Sequence, residues 1–153
     1  MSTKQVSGSP TLADQLRDPA YSAYFALRTV FTIAPIVMGL DKFFNVLTHP
    51  HHWSMYLAGW IDDLVPGTAD QCMYLVGVIE IVAGVLVAVA PRFGAWVVAA
   101  WLAGIIIDLL TGPGFYDIAV RDFGLLVGAV ALGRLAQGVH NGTIGPAAYT
   151  ARR

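Results

Sequence analysis

Four long apolar stretches, each broken by very few charges, alternate with short polar segments along the chain. The clearest covers residues 72–90, CMYLVGVIEIVAGVLVAVA, in which Glu80 is the one residue charged at neutral pH. As a helix rising 1.5 Å per residue it is about 28 Å long, close to the roughly 30 Å of a bilayer's hydrocarbon core. A first span is expected over residues 21–40, carrying Arg28 and ending at the charged and aromatic edge Asp41-Lys42-Phe43-Phe44. The turn Pro91-Arg92-Phe93-Gly94 leads into a third span over 94–110. Thr111-Gly112-Pro113-Gly114 breaks that helix, and a fourth span over 115–135 carries Asp117, Arg121 and Asp122 in its first two turns.

The pattern predicts an all-α fold, an integral membrane four-helix bundle. A polar segment, 1–20, precedes the membrane domain, 21–135, and a polar tail, 136–153, follows it. In the long connection 45–71, Trp53, Met55, Tyr56, Leu57 and Trp60 are too few and too interrupted to span, so a short interfacial helix is expected there. On a 3.6-residue helix Arg28, Thr32, Pro35, Gly39 and Lys42 form one stripe, expected to face inward. Gly77, Glu80, Gly84 and Ala88 share a face of the second span, where small residues permit close helix contact. Gly124 and Gly128 form a similar pair on the fourth, and Asp117 and Arg121 stand four apart in the favourable order.

Composition agrees with this pattern. The 153 residues are 56% hydrophobic and only 12% charged, with a mean hydropathy of +0.63. A net charge of −1 provides no field for nucleic acid. Cys72 is the single cysteine, so an internal disulfide is excluded. The first 20 residues are too polar for the apolar core of a cleaved presequence. Lys4, Arg17, Arg92, Arg134, Arg152 and Arg153 fall before span one, between spans two and three, and at or after the end of span four. By the positive-inside rule both termini are expected to be cytoplasmic, with the histidine-rich connection outside.

Intramembrane charge is where chemistry is to be sought, because an ion near the centre of a span costs about 2.5 to 3.5 kcal/mol. Glu80 lies about 12 Å below the outer edge and Arg121 about 9 Å, with Asp108, Asp117 and Lys42 nearer that edge. Arg28, Lys42, Glu80, Asp108, Arg121 and Asp122 are therefore the candidate pocket for a polar head or a proton. Acids and bases at one depth suit a quinone, whose reduction needs proton donors near its two oxygens. The plainer alternative is that Glu80 pairs with Arg121 or Arg28 to fix helix register. His49, His51 and His52 are weak candidates for a copper, zinc or haem site, since they span four residues around Pro50 and have no companion cluster. The plainer reading is interfacial histidines that simply tolerate water.

An arginine in the first span, Gly39-Leu40-Asp41-Lys42, Gly77-Val78-Ile79-Glu80 followed by Gly84, and Pro91-Arg92 together make the chain resemble the DoxX family of small four-helix membrane proteins. The resemblance covers about residues 24 to 135, with Arg28, Lys42 and Glu80 at matching positions. Tyr116-Asp117-Ile118-Ala119-Val120-Arg121-Asp122-Phe123-Gly124 is similar to a related branch rather than to the founding members. The resemblance implies a subunit tied to membrane redox work: founding members belong to a thiosulfate to quinone oxidoreductase, and others partner oxidative-stress and sulfur-transfer enzymes. The expected location is the inner membrane of a bacterium, and the expected partners are the lipid bilayer and membrane or membrane-associated proteins. Two other readings stand beside a quinone-binding redox subunit: a non-catalytic scaffold of a larger membrane complex, and a small solute or ion carrier.

Overall fold

Helix starts and stops are set by local chemistry. Asp18 accepts from the Ala20 amide and Pro19 occupies the first helical position, opening α2 (Pro19–Phe44). α2 ends at Asn45, whose φ of 54° stops the helix in the left-handed region. Thr68 and Gln71 form a reciprocal capping box that opens α4 (Ala69–Val89). Only Ala90 separates α4 from α5 (Pro91–Thr111), so the two form a tight antiparallel hairpin. Before them stand a four-residue α1 (Leu12–Gln15), a 3-10 turn (Trp53–Tyr56) and α3 (Gly59–Leu64); α6 (Tyr116–His140) follows. This computed structural model describes residues 11–48, 51–64, 66–112, 114–145 and 148, among which there is no strand.

The long helices extend past most of the boundaries expected from hydropathy, because their caps lie in the polar flanks rather than at the edge of the apolar run. The expected interfacial helix is two short pieces, 53–56 and 59–64, divided at Leu57-Ala58. By length and apolar composition α2, α4 and α5 can each cross a membrane. α6 is as long, at 25 residues, but carries Asp117, Arg121, Asp122 and Arg134.

α2 packs chiefly on α4 and α5 chiefly on α6, while α4 on α5 and α2 on α6 close the ring. An apolar core of Tyr24, Phe31, Val87, Val98, Leu102 and Leu132 fills the half of the bundle nearer the Pro91 turn. Outside, Val30, Ile33, Leu75, Val82, Val97, Phe123 and Val127 are all exposed, the surface expected of helices solvated by lipid.

The stripe on α2 meets the small-residue face of α4 along its length. A Cβ on Gly39 would lie 2.5 Å from the Gly77 carbonyl oxygen, and one on Gly77 would lie 2.7 Å from that of Gly39. One on Gly84 would meet the Thr32 carbonyl oxygen at 2.8 Å. The two backbones therefore touch, as small residues allow between membrane helices. Close packing expected at Gly124 and Gly128 is different: Gly124 faces open space and Gly128 meets only the Phe31 ring.

Candidate functional site

The glycine crossing carries the last turn of α2 onto the middle of α4, and there Lys42 Nζ meets Glu80 Oε2 at 2.6 Å. Both side chains are buried, 5% and 10% exposed. Neither arginine expected as a partner of Glu80 is paired with it. Arg28 donates to the Ala88 carbonyl oxygen at the far end of α4. Arg121 lies 3.8 Å from Asp117 on an exposed face of α6. Lys42 is preferred because Gly39 and Gly77 fix the rotation of both helices, and because a cation in a helix's last turn also meets the negative end of its dipole.

Two tryptophans flank the pair. The Trp53 ring lies over Lys42, 4.1 Å from Nζ to the centroid, a cation–π contact. Its Nε1 donates to Asp41 Oδ2 at 2.9 Å, and Asp41 Oδ1 accepts from the Val46 and Leu47 amides at 2.8 Å each. Asp41 thus folds the connection back over Lys42. Trp101 of α5 directs its indole N–H at the Glu80 carboxylate. That approach falls short of full hydrogen-bond geometry, and the buried Nε1 has no other partner. Asp122 of α6, half-buried, interacts electrostatically with both Lys42 and Glu80.

The six candidate pocket residues therefore fall into separate groups. Lys42, Glu80 and Asp122 come together, while Arg28 and Arg121 lie elsewhere. Asp108 accepts from the Ala58 amide at 2.8 Å and so anchors the connection to α5, assisted by Trp60 Nε1 donating to Thr111 Oγ1 at 3.0 Å. Sequence reasoning did not place Asp41, Trp53 or Trp101 in the site. Asp41 had a signal in its position beside Lys42, and Trp101 shares the Asp108 side of its helix, but nothing local brings Trp53 back to Lys42.

In the histidine segment, Asn45 Nδ2 donates to the His51 carbonyl oxygen at 3.0 Å and lies 3.2 Å from His52 Nδ1. His49 is outside the described residues. Among those described, no three His, Cys, Asp or Glu side chains gather as a metal site.

The Asp41 clamp is testable. Asp41→Ala removes three hydrogen bonds to a charged acceptor, each worth about 1.5 to 3 kcal/mol and not fully additive. Amide exchange at Val46 and Leu47 is expected to accelerate at least about tenfold, while α5 and α6 keep their protection. Unchanged exchange at Val46 and Leu47 would remove the clamp.

Together these observations define a helical membrane bundle organised around a buried lysine–glutamate pair. The DoxX family matches residues 23–111, more than half of the chain and from the second turn of α2 to the end of α5, and the chain belongs to that family. The match includes Lys42, Glu80 and Trp101; α6, with Asp122, lies beyond it. No curated protein and no solved structure matches the chain.

Proposed function

We propose that this DoxX-family membrane protein is a redox-associated subunit that holds a quinone head, or a similarly polar lipid head, among Lys42, Glu80, Asp122 and Trp101. The observation that supports this reading best is the buried Trp101 N–H, which faces Glu80 but is not fully hydrogen-bonded, beside a lysine and two acids. A buried donor left fully unsatisfied costs about 1 to 3 kcal/mol, and a quinone carbonyl oxygen would complete the hydrogen bond that Glu80 only approaches. Lys42 can donate to the second oxygen. Reduction to quinol takes up two electrons and two protons; Glu80 and Asp122 are the groups placed to pass protons, and a partner protein supplies the electrons.

Trp101→Phe separates binding from folding, since it deletes the donor and keeps an aromatic ring. In lipid nanodiscs the variant is expected to match or exceed the wild-type unfolding temperature. Its affinity for a short-chain quinone, measured by equilibrium partition of the labelled compound, should fall by roughly two- to tenfold. No saturable quinone binding by the wild type would end this reading.

One observation favours a rival. Lys42 and Glu80 satisfy each other directly at 2.6 Å, which a pair that only fixes the register of α2 on α4 would also do. The protein is then a scaffold within a larger membrane assembly. Extraction in mild detergent should recover stoichiometric protein partners by mass spectrometry, without quinone.

A further inference from the structure

The end of the bundle that holds the Pro91 turn is basic. Arg17, Arg28, Arg92 and Arg134 lie toward it, opposed by Asp14 and Asp18 among the described residues. Arg17 lines a cavity that also contains Asp14 and Asp18, whereas Arg28 lines a groove on the bundle's side with no acidic residue in its lining. The groove has a volume of about 240 Å³ and lies between α2 and the last turn of α4, bounded by Phe25, Thr29, Ile33 and Ala88. Phe25 is 43% and Ile33 54% exposed, so the groove opens outward along an apolar rim.

Arg28 has five N–H donors. It gives one hydrogen bond to the Ala88 carbonyl oxygen, one of the last four carbonyls of α4, which have no partner within their own helix. That contact is neutral, and the ion pairs among the described residues, Lys42–Glu80 and Arg121–Asp117, leave the guanidinium without a carboxylate. Ala88 also fixes the level: α4 is 21 residues long, about 31 Å, so its last turn stands at the boundary between hydrocarbon and headgroups. A half-buried cation at headgroup depth, in an apolar groove and without an acidic partner in the protein, requires its counter-charge from outside.

We propose that Arg28 and this groove form a binding site for an anionic phospholipid. The phosphate accepts from the guanidinium in the forked geometry arginine favours, and one acyl chain lies against Phe25 and Ile33. The Ala88 carbonyl oxygen at the groove's edge holds one N–H of the guanidinium in place and leaves the others for the phosphate. The site lies at the other end of α2 from Lys42 and does not depend on the quinone reading.

The test is native mass spectrometry of the full chain released from nanodiscs containing equal phosphatidylglycerol and phosphatidylcholine. Wild type is expected to retain one phosphatidylglycerol in preference to phosphatidylcholine, and Arg28→Gln to lower that retention about fivefold. Ile33→Trp keeps the charge and fills the groove; it should lower retention similarly, and it keeps the test decisive if Arg28→Gln does not fold. Equal retention of the two lipids by wild type overturns the proposal, as does retention unchanged in the folded variants. Displacement of phosphatidylglycerol by millimolar inorganic phosphate would show a free-anion site and overturn the lipid assignment.

Discussion

Methionine in place of Glu80 is expected to lower stability by about 3 to 5 kcal/mol, because it strands the Lys42 ammonium in a buried position. Lys42→Met strands the carboxylate and is expected to cost a similar amount. The double substitution, Lys42→Met with Glu80→Met, removes both desolvation penalties and should return to within about 1 kcal/mol of wild type, or exceed it. Unfolding of all four proteins in mixed micelles closes the cycle. Additive losses would mean that the 2.6 Å contact couples nothing and that each residue acts alone. The double variant also separates stability from function. A protein that folds normally but has lost quinone binding identifies the pair as ligand-binding; one that retains binding identifies it as a register device.

Gly39→Ala is the second large effect. Its methyl group would arrive 2.5 Å from the Gly77 carbonyl oxygen and 2.8 Å from Ile81 Cγ1. The first of these is backbone, so relief requires α2 and α4 to separate. Overpacking of this kind costs about 1 to 3 kcal/mol. Here the separation also lengthens the Lys42–Glu80 contact, one turn further along α2, and the expected total approaches that of Glu80→Met. Gly124→Ala is the control: it adds the same methyl where nothing lies within 4 Å. It should be neutral or slightly stabilising, since alanine is favoured over glycine in a helix by up to about 1 kcal/mol. Equal unfolding midpoints for the two alanine variants would show that the α2–α4 backbone contact is not limiting.

The contrast between these glycines marks how far periodicity reaches. Both Gly77 and Gly124 stand on small-residue faces, and both were expected at close contacts. Gly77 is pressed against α2, whereas Gly124 faces outward. Spacing reports that a face is smooth; it carries no information on which neighbour, if any, turns toward it. The α2 stripe is the favourable case. Arg28, Thr32, Gly39 and Lys42 all meet α4, because a run of one narrow face against another leaves one low-energy rotation.

What the sequence determined by itself was local: the long apolar helices, the turn at Pro91, and the need for a buried partner to Glu80. These follow from hydropathy, turn-forming residues and the cost of charge in hydrocarbon, each of which acts within a few residues or on one helix against lipid. Tertiary structure decided the identity of the partner. Glu80 had two arginines and a lysine within plausible depth, and depth along a helix is set by rise per residue whereas pairing is set by rotation. The rotation came from Gly39 and Gly77, 38 positions apart in the chain and in backbone contact in the fold. The same contact set Lys42 beneath Trp53, left Arg121 to its neighbour Asp117, and kept Arg28 at the far end beside Ala88.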